Sequence, residues 1–534
     1  MIKVPAPAQR EARSDDGPRI AVSEFVISYE EPDAIAATYR QSTQVMLGEF
    51  LAAENYQLSI GQLDQAADKV TDHLRAAGFL LAKAILPPQE VERGAIHLRV
   101  FAGIVGGVAA QANKLYATDD LTQPFARLEG QPVVRKTLES RLIKLNELPG
   151  LSAIALFQPG INSGETTLAL QAVNETPITY SARIDNHGVE ATGDWRAALG
   201  VKVNNVTGHR DRLAVDAIKT TSPGDLRNAR VNYEITSSKL VHTLGLGFSE
   251  TRYDVEAPGA KPLNIEGDTE IADAYVYSRW LSSRPLNVST RIGMATKRAE
   301  VEFFGGATSD GVDRLAVLTA MLVAEGVDQK FRGLYRGSIG LHRGFNDVLG
   351  SMDGNGNGNS LTKVNSAPQL PGQFRKLTAS YNRLQTVSRY QSLLLLFAGQ
   401  YSSDPLSSLE KMSLGGPYTV RAYPTGEFTG ERGIFTSLGW VINGGLFSNA
   451  IAFGEYSWSD ILSVTVFADY GWAKNRDGSG GVTRRELSGA GLGSRWQFPE
   501  QRAFIDFSYA VPFAGHKANN GDDGQVWFQA GIDF

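Results

Sequence analysis

The sequence predicts a transmembrane β-barrel of sixteen antiparallel strands, preceded by two small α+β domains. First, residues 178–534 contain sixteen runs in which apolar and polar residues alternate, as the two faces of a strand require. Second, long polar connections between these runs alternate with short ones, which is typical of a barrel with external loops and periplasmic turns. Third, helical spacing of apolar residues occurs only before residue 178.

Composition narrows the function classes before any motif is considered. The 534 residues include no Cys, which excludes disulfides and thiolate metal sites, and a formal net charge of −5 gives no basis for nucleic-acid binding. No run reaches the roughly 18 apolar residues of a transmembrane helix, and residues 1–18 lack the apolar core of a signal peptide. Low hydropathy does not exclude a barrel, because only alternate strand residues face lipid.

Residues 1–18 are polar and are expected to form a flexible leader. Residues 19–103 form the first small domain, in the order β-α-α-β-β. Ser59 is the expected N-cap of the second helix, and Gly78 stands where a glycine ends a helix. The strands of this domain are predicted at 20–29, 79–86 and 95–101, and its helices at 31–54 and 59–77.

Residues 104–176 repeat this order and predict a second small α+β domain. Its helix at 131–145 has an apolar face at helical spacing. That face consists of Val134, Leu138, Leu142 and Leu145. The strands of this domain are predicted at 104–110, 151–157 and 166–173.

From residue 178 onward, alternation predicts only barrel strands. The runs are 178–187, 195–205, 210–221, 226–238, 241–255, 269–283, 286–301, 312–326, 331–345, 373–388, 391–404, 433–443, 462–473, 485–497, 502–513 and 525–534. The long connections include 256–268, 302–311, 346–372, 405–432 and 514–524, and the short ones include 239–240, 284–285, 327–330, 389–390 and 498–501. The stretch 444–461 is an exception, because it is long but lies among the short turns.

The last runs show the clearest alternation. A soluble β-sandwich would also alternate. An even strand count, a C-terminal phenylalanine and the loop asymmetry favour the membrane barrel, which leaves no sheet edge unpaired in lipid. In 525–534, one face carries Val526, Phe528, Ala530, Ile532 and Phe534.

The connection at 405–432 is a candidate functional loop. Loops longer than about 12–15 residues are usually functional or disordered, and its aromatic and apolar residues argue against disorder. Arg421 lies there between apolar and aromatic neighbours, Val420 and Tyr423. The composition of this segment by itself would favour a plain hairpin loop rich in turn residues. The predicted membrane barrel around it favours a functional loop instead.

Motifs for other chemistries are weak. Residues 353–358 match the first half of a calcium loop, but Val364 occupies the twelfth position, where Glu is needed. The sequence has no P-loop, G-x-S-x-G or HExxH motif, so no enzymatic activity, cofactor or metal site is predicted. Gly489, Gly491 and Gly493 have a spacing of two in a strand and predict a face against which something packs closely.

With these elements in order, the chain resembles the two-partner secretion transporters, the TpsB family of the BamA-type outer-membrane superfamily. The resemblance covers nearly all of 19–534 and rests on the order and spacing of short motifs rather than on any single one. The motifs of the small domains are Ala77-Gly-Phe-Leu80, Leu86-Pro-Pro-Gln89, Ile96-His-Leu-Arg-Val-Phe-Ala-Gly103, Leu145-Asn-Glu-Leu-Pro-Gly150 and Pro159-Gly-Ile-Asn-Ser-Gly-Glu-Thr-Thr-Leu168. Those of the barrel are Asp185-Asn-His-Gly188, Val420-Arg421-Ala422-Tyr423 and Phe467-Ala-Asp-Tyr-Gly471.

The resemblance implies that residues 19–103 and 104–176 are POTRA domains and that 177–534 form an outer-membrane barrel. The segment 405–432 is then the family's loop six, whose signature is similar to Val-Arg-Gly-Tyr. Ala422 replaces the glycine of that signature and requires a negative φ. Many relatives also have an N-terminal plug helix. Residues 1–18 are too short and too polar to form that helix and its linker, so the plug is expected to be absent or removed.

The resemblance also implies a contact between loop six and the barrel wall. In the family, the arginine of loop six contacts the aspartate of the Phe-x-Asp-x-Gly motif. The resemblance assigns these two roles to Arg421 and Asp469. Alternation agrees, because it directs Phe467, Asp469 and Gly471 into the lumen. An arginine–carboxylate pair can form two parallel hydrogen bonds, and Gly471 would leave room for the loop. We expect the pair to hold loop six in a resting position that secretion requires.

The function implied by the resemblance is that of an outer-membrane translocator. It would recognise a secreted partner through periplasmic POTRA domains, where an extended client adds a strand to a sheet edge, and export it through the barrel without ATP. The first POTRA domain is the expected docking site. Two alternatives stay open, a barrel-assembly factor of the same superfamily and a passive porin. Having only two POTRA domains argues against the first, and the periplasmic domains with a long loop six argue against the second.

The implied partners follow from this function. They are a secreted protein with an N-terminal secretion domain, outer-membrane lipid and lipopolysaccharide, and the barrel-assembly machinery, which would recognise the C-terminal strand ending in Phe534. No nucleic-acid partner is expected. The client itself stays open between an adhesin, a cytolysin and a contact-dependent toxin.

Overall fold

The structure is a computed structural model, and it forms two compact units. Unit 1 comprises Met1–Thr176 with Ser238–Leu240, and unit 2 comprises Pro177–Ser237 with Val241–Phe534. Among the described residues, no helix has both the length and the apolar character needed to cross a membrane. The described residues are 2–3, 18–31, 33–162, 164–221, 224–256, 261–304, 308–354, 360, 370–447, 449–476 and 481–534.

Unit 1 contains nine strands, four α-helices and a 3₁₀ helix in its described part. The strands are β1 (Ile2–Lys3), β2 (Ile20–Ala21), β3 (Glu24–Tyr29), β4 (Gln57–Leu58), β5 (Lys83–Ile85), β6 (Ala95–Phe101), β7 (Ile104–Gln111), β8 (Leu151–Pro159) and β9 (Glu165–Glu175). The helices are α1 (Ala37–Ala53), α2 (Ile60–Ala76), α3 (Thr118–Thr122), the 3₁₀ helix (Gln123–Leu128) and α4 (Arg135–Leu145).

The first small domain is a three-stranded sheet packed against α1 and α2. In the sheet order β3-β6-β5, β3 runs parallel to β6 and β5 runs antiparallel to it. The predicted capping of α2 is confirmed: Ser59 and Gln62 form a capping box, and Gly78 has a φ of +107°. The apolar residues at helical spacing in α2 are buried in the core of this domain, and they are Leu63, Ala66, Ala67, Val70 and Leu74.

Three predictions in this domain were wrong in part. The strand predicted at 20–29 is two strands, β2 and β3, which belong to different sheets. The first helix begins at Ala37 rather than at 31, because the backbone N–H of Ala34 closes a turn back to the carbonyl of Glu31 before the helix starts. The strand predicted at 79–86 is limited to Lys83–Ile85, because Ala82 closes a turn back to the carbonyl of Phe79.

The second small domain has the sheet order β1-β8-β9-β7. Leu138, Leu142 and Leu145 of α4 are buried in its core, whereas Val134 precedes the helix and packs against the core of the first domain. Most of the predicted leader, residues 1–18, lies outside the described residues. Ile2 and Lys3 are an exception to its predicted flexibility, because they pair in parallel with β8 as β1.

Unit 2 is a closed barrel of sixteen antiparallel strands, as predicted. The barrel strands are β10 (Ile178–Asp185), β11 (Arg196–Asn204), β12 (Asp211–Thr220), β13 (Asp225–Thr236), β14 (His242–Val255), β15 (Ile265–Leu281), β16 (Asn287–Phe303), β17 (Thr308–Asp328), β18 (Gly333–Phe345), β19 (Phe374–Thr386), β20 (Gln391–Ser402), β23 (Arg432–Asn443), β26 (Leu462–Arg476), β27 (Val482–Phe498), β28 (Ala503–Gly515) and β29 (Gln525–Asp533). Between them lie β21 (Met412–Leu414), β22 (Phe428–Gly430), β24 (Ile451–Phe453), β25 (Tyr456–Ser457) and α5 (Trp458–Ile461).

Each predicted run corresponds to one barrel strand. The largest differences are at the external ends of β15 and β17, which begin at Ile265 and Thr308, four residues before the predicted 269 and 312. The long stretch 444–461 contains the β24–β25 hairpin and α5. The barrel closes where β10 pairs with β29, from Ser181 with Asp533 to Asp185 with Gln529.

Candidate functional site

Loop six lies inside the barrel and packs against its wall. Its two ends are joined by the β21–β22 pair, from Met412 with Gly430 to Leu414 with Phe428. We call residues 418–425 the tip. Three side chains of the tip, those of Val420, Ala422 and Tyr423, are fully buried in a cluster shared with wall strands β23, β26 and β27. The members of this cluster include Leu414, Val420, Ala422, Tyr423, Phe435, Phe467 and Leu487.

The structure brings Arg421 and Asp469 together. Nη2 of Arg421 donates to Oδ1 of Asp469 at 2.7 Å, Nε donates to Oδ2 at 2.8 Å, and the backbone N–H of Arg421 donates to Oδ2 at 3.0 Å. Nη2 also donates to Oγ of Ser437 at 2.9 Å. Asp469 is 1% exposed, so the two-pronged pair is well shielded from water.

The other residues of the Phe-x-Asp-x-Gly motif form the surface under the tip. The guanidinium carbon of Arg421 lies 3.2 Å from the ring centroid of Phe467, a cation–π arrangement. A Cβ at Gly471 would lie 3.0 Å from Cγ2 of Val420 and 3.1 Å from Cδ2 of Leu414. The glycine therefore lets this part of loop six approach the wall.

Ala422 fits its position because the wall opposite it lacks a side chain. Ala422 does not have a positive φ, and a Cβ at Gly489 would lie only 2.2 Å from its own Cβ. A Cβ at Gly491 would lie 2.6 Å from Cζ of Phe467, whereas one at Gly493 would make only ordinary contacts at 3.5 Å or more. The predicted close packing is therefore present at Gly489 and Gly491 but not at Gly493.

Residues from the last strands also hold the tip, which sequence reasoning missed. Nε1 of Trp527 on β29 donates to the carbonyl of Arg421 at 2.7 Å, and the hydroxyl of Tyr423 donates to the carbonyl of His516 at 2.7 Å. Alternation in β29 places Trp527 on the inward face, which was a usable signal. The carbonyl contact of Tyr423 has no counterpart in the sequence pattern.

The tip also contacts the segment that follows β10. Oγ1 of Thr425 donates to the carbonyl of His187 at 3.2 Å, and Nδ1 of His187 lies 3.2 Å from the hydroxyl of Tyr418. Asp185 positions this segment by accepting the backbone N–H of His187 at 3.0 Å and Nε of Arg196 at 2.7 Å. The tip therefore touches β29 and the segment that follows β10, and β10 and β29 are the two strands that close the barrel.

Most of the segment with the calcium-loop pattern lies outside the described residues. Residues 355–358 of the pattern lie outside the described residues, as does Val364. Over the residues that are described, no group of three or more His, Asp or Glu side chains is arranged to hold a metal ion.

Family comparisons place the chain among secretion proteins. A family model described as haemolysin secretion/activation protein ShlB/FhaC/HecB matches residues 164–496, more than half of the chain. A second model, POTRA domain, ShlB-type, matches residues 45–103.

Two proteins that are similar over most of the chain are transporters by name. The chain is 24% identical over 490 residues to the heme/hemopexin transporter protein HuxB of Haemophilus influenzae (strain 86-028NP), covering 88% of this chain and 80% of HuxB. It is 24% identical over 486 residues to the outer membrane transporter CdiB of Escherichia coli, covering 87% of this chain and 75% of CdiB.

Solved structures share the fold. CdiB from Escherichia coli superposes with a TM-score of 0.69 at 18% identity, covering 99% of this chain and 93% of CdiB. BamA from Haemophilus ducreyi lacking POTRA domains 1–3 superposes with a TM-score of 0.57 at 14% identity, covering 96% of this chain and all of that one. At these identities the superpositions show the fold alone.

Proposed function

The chain belongs to the haemolysin secretion/activation family, ShlB/FhaC/HecB, and from this premise we propose how its loop and small domains act in export. The protein is a transporter of the bacterial outer membrane that exports a secreted partner protein through a sixteen-stranded barrel. Its POTRA domain lies in the periplasm. The proposals below concern the residues and partners through which this export takes place.

The observation that supports a specific mechanism is the two-pronged pair between Arg421 and Asp469, which we call the fork. This pair, with the buried tip around it, keeps loop six against the wall formed by β23, β26 and β27. A buried carboxylate that lost its arginine would be left uncompensated, so the loop has one strongly preferred position. We propose that this is the resting position, and that Val420, Arg421, Ala422, Tyr423, Phe467, Asp469 and Gly471 form the site that defines it.

The small domains supply sheet edges for a client. In the first domain, β6 is central while β3 and β5 are the edge strands of the sheet. An extended segment of a secreted protein can pair with such an edge through its backbone. We propose that residues 19–103 dock the client in this way, and that residues 104–176 are a second POTRA domain.

The proposed partners follow from the relatives' names and from the barrel surface. HuxB is named as a heme/hemopexin transporter and HpmB of Proteus mirabilis as a hemolysin transporter. We propose that the client of this chain is a secreted protein with an N-terminal secretion domain. The outward residues of the barrel, such as Leu244, Leu246 and Phe248, are exposed apolar side chains suited to lipid. Contact with lipopolysaccharide, and recognition of the Phe534 strand by barrel-assembly machinery, are part of the same proposal.

Export is proposed to proceed without nucleotide hydrolysis, driven by folding of the client outside the cell. The sequence has no nucleotide-binding motif. The alternative role, in barrel assembly, is supported here by the fold that this chain shares with BamA and not by sequence similarity.

One experiment separates the two roles. Cells with and without this gene are compared for the protein found in the medium and for the levels of other outer-membrane proteins. Loss of a single secreted protein, with other outer-membrane proteins unchanged, supports export of a dedicated client. A general fall in outer-membrane proteins would instead favour barrel assembly.

A further inference from the structure

A second group of charges fastens loop six far from Arg421 along the barrel wall. We call residues 406–411 the first limb. Within it, Glu410 is 2% exposed although it carries a carboxylate. Nζ of Lys297 donates to Oε1 of Glu410 at 2.6 Å, and Nζ of Lys376 donates to Oε2 at 2.5 Å. Both carboxylate oxygens are thus held by ammonium groups from the barrel wall.

The backbone of the first limb is held at the same point. Nε2 of Gln400 donates to the carbonyl of Glu410 at 2.9 Å, and Nζ of Lys376 reaches the same carbonyl at 3.2 Å. The three wall residues come from β16, β19 and β20, so a short piece of the loop is bound by three strands. This arrangement fixes both the position and the direction of the first limb.

The neighbouring residues of the first limb are also docked on the wall. Oγ of Ser407 donates to Oδ2 of Asp313 on β17 at 2.5 Å. Leu406 is fully buried in a cluster with wall residues Leu315, Val317 and Phe374. The first limb therefore combines apolar packing with a charge cluster, as the tip does.

The charges specify a position more than they add stability. Bringing a carboxylate and two ammonium groups out of water costs free energy that their attraction only partly returns. Burial alone would raise the pKa of Glu410, but the ammonium groups of Lys297 and Lys376 outweigh it and lower that pKa, so the carboxylate stays ionised. If the limb moved away, Lys376, whose side chain is 9% exposed, would be left without its counter-charge.

The two anchoring points lie on different parts of the barrel. In barrel order, β19 and β26 are separated by β20 and β23, and Lys297 on β16 lies farther still from Asp469 on β26. Loop six is consequently held at two places by unrelated contacts.

We propose that Glu410, Lys297 and Lys376 form a second anchor of loop six, which positions the first limb independently of the Arg421–Asp469 pair. The relevance of this anchor to export rests on the function proposed above. The anchoring itself does not depend on that function, because it is a statement about where the first limb lies. Movement of loop six out of the lumen then requires both anchors to open.

The test uses the absence of natural cysteine in the chain. A single thiol is introduced by Ser407→Cys in the first limb or by Val420→Cys in the tip, both at buried positions. Ser408→Cys, at an exposed position, gives the rate of a freely accessible thiol. Each thiol is labelled in intact cells with a water-soluble maleimide, and barrel folding is checked by heat-modifiable gel mobility.

Glu410→Gln keeps the size of the side chain but leaves the two lysines without a counter-charge. We expect labelling at position 407 to become at least about tenfold faster, while labelling at position 420 stays slow. The exchange Glu410→Lys with Lys376→Glu restores opposite charges between these two positions but sets Lys297 against a like charge, so labelling is expected to be slower than in Glu410→Lys alone without returning fully to the parent rate. Glu234→Gln is the matched control, because Glu234 is a wall carboxylate paired with Arg212 and Tyr275 rather than with loop six.

Unchanged labelling at position 407 in Glu410→Gln would overturn the second anchor, and so would equally fast labelling in Glu234→Gln. Secretion of the client is measured in the same cells. Faster labelling together with normal secretion would leave the anchor established and would count only against its role in export. If cells with the unsubstituted protein secreted no client, this would count against the proposed function and not against the anchor.

Discussion

The methyl group of Ala422 occupies the space that a side chain at Gly489 would need. A Cβ at Gly489 would lie 2.2 Å from the Cβ of Ala422, far inside van der Waals contact. Ala422 stands where the family's loop signature has glycine. The extra methyl group on the loop is thus accommodated by its absence on the wall.

We expect Gly489→Ala to displace the tip and to destabilise the folded barrel by about 1–3 kcal/mol, the usual cost of overpacking. Adding Ala422→Gly should restore much but not all of the loss, because the carbonyl oxygen of Val511 would still lie 2.9 Å from the new Cβ. Urea unfolding of the purified barrel measures the change. Gly493→Ala is the control, since its nearest neighbour would be at 3.5 Å. Equal effects of the two alanines would refute the steric explanation.

Removing either member of the fork should abolish most secretion while leaving the barrel inserted. Arg421→Ala leaves Asp469 buried without its counter-charge, and breaking a buried pair of this kind costs about 3–5 kcal/mol. Arg421→Lys should also fail largely, because an ammonium group does not form the two-pronged contact. Client in the medium and heat-modifiable mobility of the barrel are the two measurements.

The control for these variants is Arg484→Ala, an exposed arginine paired with Glu486 near the external end of β27. It should secrete normally. The double variant Arg421→Ala with Asp469→Asn should be no worse than the poorer single variant, because both remove the same contact. Normal secretion by both single variants would remove the role given to the fork.

Trp527→Phe should loosen the tip without unfolding the barrel. The ring is largely retained, but the carbonyl of Arg421 loses the Nε1–H donor, at a cost of about 1–3 kcal/mol for a buried acceptor left unsatisfied. Labelling of a thiol introduced by Val420→Cys should become faster. Trp496→Phe, at a half-exposed outward position on β27, should leave the rate unchanged. No difference between the two variants would argue against the hydrogen bond.

Acidification should weaken the folded barrel through His187, which lies beyond the end of β10. Burial lowers the pKa of His187 from 6.5 to about 4, although Asp185 opposes the shift. Between these values the unfolded chain binds a proton that the folded chain does not, so this contribution makes stability rise with pH from about 4 to 6.5. Urea unfolding at pH 5 and pH 7 should show a smaller pH effect in His187→Gln than in the parent. The exposed His209→Gln is the control, and a parent-like pH effect in His187→Gln would contradict the assignment.

The barrel strands were predictable because their signal is local. A strand in a barrel wall must present alternate residues to lipid and to the lumen, so the sequence itself carries a period of two. The capping of α2 by Ser59 was predictable for a similar reason, since a cap involves residues only three positions apart.

The contacts of loop six could not be predicted from local sequence patterns. The meeting of Arg421 with Asp469 followed from family resemblance and an inward-facing aspartate, and the role of both residues in export stays a prediction. The Glu410 cluster was missed, because it joins residues 113 and 34 positions apart in the chain. Neither lysine forms a recognisable motif with the glutamate, and a strand pattern shows only that each lysine faces inward.

The sequence by itself therefore determined the strand count, the inward and outward faces and the two small domains, since each depends on a local period or on neighbouring residues. Only the tertiary structure decided where loop six lies: the fork at Asp469, the Trp527 donor, the space at Gly489 and the lysines around Glu410. These contacts form when barrel closure brings strands that are distant in the chain around one lumen. Their geometry is set by that closure, which no local pattern records.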